Sequence, residues 1–129
     1  MAKQPYEVLT ALRLPPAAGW RTAYVKLRRR GSIDFPIAGA AVALRGDGVI
    51  EEARIVLSAV GSRPVEAVAA AAFMAGKSVS EETLTEAADL AAKPAKPLDN
   101  ADLTHVWRKR MVRFVVADAI RKAATRTAF

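Results

Sequence analysis

The sequence contains no cysteine and a single histidine among its 129 residues. The absence of cysteine excludes disulfides, a thiolate nucleophile and any iron–sulfur or cysteine-bound zinc site formed by this chain. The histidine, His105, has no second histidine to pair with and no carboxylate four residues later, so we expect no metal site. A chain without cysteine is compatible with a reducing compartment, and we predict a cytoplasmic protein.

Long apolar runs and aromatic residues are also scarce. The longest apolar stretch, residues 68–75, is too short to span a bilayer, and the first residues contain no apolar core of signal-peptide length. Aromatic residues make up 6% of the chain, which gives little support to a base-stacking platform. With 52% hydrophobic residues the chain can still bury one core, and we predict a single domain over residues 1–129.

Charge is present in excess and is concentrated in one segment. Twenty Lys and Arg against 13 Asp and Glu give a net charge of +7, which favours an anionic partner. Residues 23–36 read AYVKLRRRGSIDFP. On a strand, Tyr24, Lys26, Arg28 and Arg30 would share one face as a cationic ladder. The pattern fits either a solvated edge strand or a surface that contacts an anion or a cofactor.

Alternating segments predict strands in the first half of the chain. Residues 7–14 predict a short strand ended by Pro15 and Pro16, and a second strand surrounds Tyr24. Residues 37–45 and 50–60 predict a hairpin around Gly46-Asp47-Gly48, whose glycines permit the positive φ of a tight loop.

The apolar period changes to that of helices in the second half. The first predicted helix spans residues 65–75 and ends at Gly76, and the second is capped by Ser80 and runs to about Ala92. The third begins near Asn100 or Asp102, and either of these residues is a candidate cap. Its predicted apolar stripe is Leu103, Trp107, Met111, Phe114 and Val115, and its predicted basic face is Arg108, Lys109, Arg113, Arg121 and Lys122. The fold class is therefore α+β, an antiparallel sheet of three or four strands followed by three helices packed on one face.

No self-sufficient catalytic site is predicted. The glycines at 46 and 48 precede a strand, whereas a dinucleotide-binding fingerprint precedes a helix. The acidic pairs Glu51-Glu52 and Glu81-Glu82 open a strand and a helix, which already explains them. The basic helix face is compatible with phosphate contacts, so a small nucleic-acid-binding module and an interaction module without a ligand stay open as alternatives.

Four segments together resemble a known family. They are YVKLRRRGSIDFPIAGAAVALRGDG, EARIVLSAVGSRPVEA, the AGKSVSEE step and DLTHVWRKRMVRFVVADAI. Their order and spacing resemble the C-terminal domain of the FAD-binding medium subunit of molybdenum hydroxylases, which include xanthine dehydrogenase and carbon monoxide dehydrogenase. KLRRRGSIDFP and DNADLTHVWRKRM are most similar to the 4-hydroxybenzoyl-CoA reductase branch.

The resemblance implies an enzyme of three components: a molybdopterin large subunit, an iron–sulfur small subunit and an FAD-holding medium subunit between which electrons pass. In such a medium subunit an N-terminal domain holds most of the FAD and the C-terminal domain closes over the flavin. No sequence of that N-terminal domain is found here. The resemblance therefore implies an accessory, non-catalytic domain that completes the FAD pocket, does not retain FAD alone and self-associates when isolated.

Three residues are implied as cofactor contacts. The family lysine that matches Lys26 begins the strand that leads toward the flavin, and the acid that matches Asp34 lies where the domain faces the cofactor. Asp34 would accept a hydrogen bond from a flavin or ribityl donor, and Lys26 or Arg30 would offset phosphate or reduced-flavin charge. The basic last helix is the expected docking surface for neighbouring domains or subunits.

Overall fold

Four antiparallel strands form one sheet in the order β1-β2-β3-β4 in the computed structural model, which describes residues 4–31, 33–101 and 103–128. The strands are β1 (Trp20–Leu27), β2 (Ala38–Arg45), β3 (Glu52–Ser58) and β4 (Val65–Glu66). Three helices follow, namely α1 (Val68–Met74), α2 (Glu81–Ala92) and α3 (His105–Ala124). The α+β prediction and the order of strands before helices are confirmed.

The register of the sheet separates an apolar face from a mixed one. Val25 pairs with Ala40, and Ala40 pairs in turn with Leu57, so alternate residues of all three long strands line the same face. This face is buried beneath the helices: α3 packs on β1 and β2, and α1 packs on β3. Helix α2 packs on α1 and α3. Among the described residues, no helix is both long and apolar enough to cross a membrane.

The turn chemistry of the β2–β3 hairpin follows the prediction. Gly46 has φ +108° and Gly48 has φ +71°, conformations that residues with a side chain rarely adopt. A Cβ on Gly46 would lie 2.3 Å from the carbonyl oxygen of Val49, whereas a Cβ on Gly48 would have no neighbour within 4 Å. Gly46 is therefore required for both its conformation and its close approach, and Gly48 for its conformation alone.

One predicted strand and the predicted start of one helix were wrong. Residues 7–14 form no strand, because no neighbouring strand pairs with their backbone among the described residues. The predicted helix at residues 65–75 starts only at Val68, because Val65 and Glu66 pair with Leu57 and Val56 as the short edge strand β4. Gly76 follows that helix with φ +77°, as expected.

The predicted end of α2 at Ala92 and its cap are confirmed, whereas the cap of α3 was misplaced. The Ser80 hydroxyl accepts a hydrogen bond from the Thr83 amide at 3.2 Å. At α3 the Thr104 hydroxyl accepts from the Trp107 amide at 3.3 Å, and Asn100 instead forms a bridge with Leu103. Asp102, the other predicted cap, lies outside the described residues.

The buried face of α3 differs from the predicted apolar stripe. Trp107 remains 37% exposed and Phe114 63% exposed. The buried residues of the helix are Arg108, Val112, Val115, Val116, Ala119, Ile120 and Ala123. The helix is rotated by about one residue from the predicted orientation, and the smaller aliphatic side chains face the similarly small residues of β1 and β2.

Arg108 explains this rotation. It was predicted to lie on the exposed basic face of α3, but it is buried. Its guanidinium is buried and donates to three backbone carbonyls: Nη2 to Ile37 at 2.9 Å and to Ala59 at 2.8 Å, and Nη1 to Leu98. Ile37 directly precedes β2, Ala59 directly follows β3, and Leu98 lies in the segment before α3. One planar cation therefore connects the last helix to both central strands.

Replacing Arg108 with Met should lower the free energy of unfolding by about 3–5 kcal/mol, because three carbonyls would lose a charged donor in a buried setting. Arg108→Lys should also be destabilising, because one ammonium cannot reproduce the planar fork. Urea unfolding followed by circular dichroism measures both. Arg110→Met, at an exposed position of the same helix, is the control and should cost less than about 0.5 kcal/mol. Equal effects at 108 and 110 would contradict this account.

The two hairpin glycines provide a second comparison. Gly48→Ala should cost about 1–2 kcal/mol, since only the left-handed conformation opposes it. Gly46→Ala should cost more than about 3 kcal/mol, since a backbone oxygen must also move away from the new Cβ. Unfolding free energies of the two variants, measured side by side, test the difference. Equal losses would show that the close approach at Gly46 is unimportant.

Candidate functional site

The basic-aromatic loop, residues 28–36, connects β1 to β2 at one end of the sheet. A hydrogen bond of 2.8 Å from the Ile37 amide to the Leu27 carbonyl closes the base of the loop. Arg28, Arg29 and Arg30 are all exposed on it. The loop is therefore a cationic projection on a rigid sheet, at the opposite end from the β2–β3 hairpin.

Two large apolar side chains of this loop also lie in solvent. Ile33 is 93% exposed and Phe35 is 87% exposed. Covering side chains of this size contributes roughly 1.5–3 kcal/mol each. Sequence reasoning missed both as functional residues, because alternation by itself predicts that aliphatic and aromatic residues turn inward. The sequence feature that could have indicated their exposure is the proline at the end of the loop, Pro36.

The Asp34 side chain is hydrogen-bonded within the loop. Its Oδ2 accepts a hydrogen bond from the Arg29 amide at 3.1 Å, and its Oδ1 accepts from the Phe35 amide at 2.9 Å. Asp34 therefore acts as a turn residue whose carboxylate satisfies nearby backbone amides. Such a carboxylate still has lone pairs for a further donor.

The pKa of Asp34 lies below its ordinary value. Partial desolvation raises the pKa, but backbone hydrogen bonds from Arg29, Phe35 and Arg30, together with the positive charge of Arg30, lower it by more. The carboxylate is therefore ionised at neutral pH. The structure brings Asp34 and Arg30 together, as two of the three predicted cofactor contacts require.

Lys26 lies apart from this pair. It is the penultimate residue of β1 rather than the start of a strand, and it pairs with Gly39 on the mixed face of the sheet. Because β1 ends at Leu27, Arg28 and Arg30 are not in a strand. The predicted cationic ladder of four side chains is thus wrong, and only Tyr24 and Lys26 share a strand face.

The mixed face beside Lys26 carries contacts between polar and aromatic side chains. Gly39 lies under the contact of the Tyr24 hydroxyl with Ser58 Oγ, which are 3.4 Å apart, and a Cβ on Gly39 would lie 2.4 Å from that Oγ. At the other end of this face, the guanidinium groups of Arg45 and Arg54 lie 5.3 and 5.0 Å from the ring centre of Trp20.

The basic face predicted for α3 has little free charge. Arg113 forms an ion pair with Asp89 at 2.7 Å, Arg121 with Glu81 at 2.6 Å, and Lys122 with Asp118 at 2.8 Å. Lys109 donates to the Lys93 carbonyl at 3.2 Å. These contacts connect α3 to α2 and to itself, so most of the cations are already neutralised within the domain.

His105 is the first residue of helix α3. Its backbone amide donates to Asp99, and its ring Nδ1 lies 2.8 Å from Asp99 Oδ1. The amide and ring contacts from His105 hold the pKa of Asp99 below its ordinary value. Within the described ranges no group of three or more His, Cys, Asp or Glu is placed to hold a metal ion.

Two open grooves lie elsewhere on the surface. One, of about 510 Å³, runs between α2 and α3 beside His105 and Arg113. The other, of about 600 Å³, lies beside residues 59–65 and Leu98. Neither is lined by the basic-aromatic loop.

Comparison with known proteins identifies relatives of the whole chain. The carbon monoxide dehydrogenase medium chain of Afipia carboxidovorans is 32% identical over 127 residues, which are 97% of this chain and 44% of that protein. The chain thus spans less than half the length of the curated relatives it matches.

Solved structures share the fold. Carbon monoxide dehydrogenase from Hydrogenophaga pseudoflava, in a form that lacks the Mo-pyranopterin moiety, superposes with a TM-score of 0.79 at 32% identity over 87% of this chain and 39% of that one. Quinoline 2-oxidoreductase from Pseudomonas putida 86 superposes with a TM-score of 0.77 at 31% identity over 84% of this chain and 38% of that one.

The family is identified by a match to a domain profile. The sequence profile of the CO dehydrogenase flavoprotein C-terminal domain matches residues 22–123, from the third residue of β1 to the last turn of α3. The resemblance stated from the sequence is confirmed at the level of the family, and the finer placement in the 4-hydroxybenzoyl-CoA reductase branch stays a prediction. This chain belongs to the CO dehydrogenase flavoprotein C-terminal domain family.

Proposed function

We propose that this domain is the accessory C-terminal part of the flavoprotein subunit of a molybdenum-dependent oxidoreductase. Its function is to complete the FAD pocket and to contact the iron–sulfur and molybdopterin subunits between which electrons pass. The observation that carries the proposal is the basic-aromatic loop, in which an ionised carboxylate, three arginines and two uncovered apolar side chains project from a rigid sheet.

The chemistry of the loop fits a flavin dinucleotide. A flavin has an extended planar ring, N–H and hydroxyl donors along the ring and ribityl chain, and two phosphates. Phe35 and Ile33 supply apolar surface for the ring, Asp34 supplies an acceptor, and Arg30 supplies positive charge. When bound, FAD supplies the exchange of one or two electrons.

Each of the three predicted contacts has a defined task. Asp34, held by two backbone amides, would accept a hydrogen bond from a flavin or ribityl donor in a fixed orientation. Arg30 would offset phosphate or reduced-flavin charge beside it. Lys26, on the adjoining strand face, would contribute longer-range positive charge rather than a direct contact.

The loop provides only one side of a pocket. It is exposed at Ile33 and Phe35, and the described residues place no second wall opposite them. Ligand sites normally bury most of the ligand surface. We therefore expect FAD to need a flavin-binding region in addition to this domain, and the isolated chain to retain none.

Nucleic-acid binding is not favoured by the structure. The cations of α3 that would meet phosphates are paired with Asp89, Glu81 and Asp118. A surface with so few free cations would show a weak salt dependence of binding.

The role of Asp34 is testable in a hybrid subunit, made by joining this chain in frame to the N-terminal part of the Afipia carboxidovorans medium chain that it does not match. Asp34→Ala should weaken FAD retention roughly 10- to 100-fold, because a charge-assisted hydrogen bond and the order of the loop are lost together. Flavin absorbance per subunit after dialysis measures the effect.

The control for this experiment is Asp47→Ala, which removes an exposed aspartate from the hairpin at the opposite end of the sheet. It should leave the flavin content unchanged. Unaltered flavin content and reduction kinetics in the Asp34 variant would remove Asp34 from the pocket.

The low pKa of Asp34 predicts a pH dependence. A carboxylate whose pKa is depressed by folding stabilises the folded loop above its unfolded pKa, and this contribution is lost as the pH falls through the folded pKa. The titration midpoint of the Asp34 carboxyl, followed by carbon-detected NMR, should lie below 3.8. Loss of protection at the Arg29 and Phe35 amides should accompany that titration. A midpoint at or above 3.8 would contradict the hydrogen bonding described here.

A further inference from the structure

The N-terminal arm, residues 4–18, leaves large apolar side chains in water. Tyr6, Val8, Leu9, Leu12 and Leu14 are between 68% and 87% exposed. The rest of the domain buries most of its aliphatic residues in one core. An uncovered set of this size on one short segment indicates that the arm is covered in the assembled protein.

The spacing of these side chains is that of a strand. Tyr6, Val8, Thr10, Leu12 and Leu14 occupy every second position, whereas Glu7, Leu9, Ala11 and Arg13 lie between them. On a strand the first set would form one apolar face and the second a mixed face. Tyr, Val and Thr also favour strands.

The backbone of the arm has open hydrogen-bonding groups. A turn at its start has a bond of 3.1 Å from the Glu7 amide to the Gln4 carbonyl. From residue 8 to residue 16, the part of the chain that the structure describes has no backbone hydrogen bond. A segment with strand spacing and free amides on both edges is ready to join a sheet.

The sheet of this domain is not the acceptor. A turn with a bond of 3.1 Å from the Trp20 amide to the Ala17 carbonyl precedes β1, and Gly19 there has φ +78°. Pro15 and Pro16 stand next to this turn and have no amide hydrogen to give to β1. The outer edge of β1 is accordingly not paired with the arm.

The comparisons indicate which region accepts the arm. The domain profile begins only at residue 22, yet the match to the Afipia carboxidovorans medium chain covers 97% of this chain. The arm is therefore shared with a flavoprotein medium chain but lies outside its C-terminal domain. More than half of that relative lies beyond the match.

We propose that residues 6–14 are a donated strand, which adds to the open edge of a β-sheet in the flavin-binding region and buries Tyr6, Val8, Leu12 and Leu14 in the core of that region. The inference rests on the proposed function only for the identity of the partner. The arm would hold the flavin-binding region in a fixed position relative to β1, and thereby relative to the basic-aromatic loop.

Hydrogen–deuterium exchange in the hybrid subunit tests the proposal. The amides of residues 8–14 should exchange at the unprotected rate in the isolated chain and at least about 100-fold more slowly in the flavin-loaded hybrid. Exchange at the unprotected rate in a flavin-loaded hybrid would overturn the proposal. Protection in the isolated chain that rises with protein concentration would also overturn it, because the acceptor would then be a second copy.

Neighbouring lysine substitutions test the strand geometry. Leu12→Lys places a charge on the apolar face and should reduce the protection of the arm at least about 10-fold. Ala11→Lys, the adjacent position on the other face, should change it less than about threefold. Equal effects of the two substitutions would show that the arm does not bind as a one-faced strand.

If the hybrid does not assemble, the isolated chain provides a separate test. Deletion of residues 4–16 should shift the melting temperature by less than about 2 °C, because the arm contributes nothing to the core of this domain. A fall of more than about 5 °C would show that the arm packs on its own domain. Loss of flavin in Asp34→Ala together with an unprotected arm in the flavin-loaded hybrid would overturn this inference alone. Unaltered flavin in Asp34→Ala together with a protected arm would overturn the role of Asp34 in the proposed function alone.

Discussion

The buried guanidinium of Arg108 is the interaction on which the arrangement of the domain depends. It donates to the carbonyls of the residue before β2, the residue after β3 and one residue of the segment that leads into α3. A buried cation without such partners would be strongly destabilising, so the helix is held to the one rotation that places position 108 over these three oxygens. The aliphatic residues of α3 that follow at helical spacing then face the sheet.

The rigidity of this core determines what the surface can do. Ile37, whose carbonyl receives Arg108, also closes the base of the basic-aromatic loop through its amide. The same residue thus connects the packing of α3 to the loop that we assign to the flavin. A carboxylate such as Asp34 is useful in a binding site when its support does not move, and the sheet and helix provide that support.

The positive charge of the chain is divided between structure and surface. On α3, basic side chains are paired with acids of α2 or with carbonyls, and Arg21 at the start of β1 donates to the carbonyls of Ala124 and Gly46. The arginines at 28 to 30 remain exposed on a loop. A net charge of +7 therefore says less about an anionic partner than the location of these few arginines does.

Local patterns in the sequence determined the elements whose causes are local. The period of two in β2 and β3, the glycine turn at Gly46, the cap at Ser80 and the change to helical spacing were all predictable, because each depends on neighbouring residues. The family was also recognisable from the sequence, since the resemblance depends on the order of four segments. The tertiary structure decided the rest. Whether residues 7–14 pair, whether Arg108 faces solvent or three carbonyls, and whether Phe35 is covered depend on partners distant in the chain, and no local pattern contains that information.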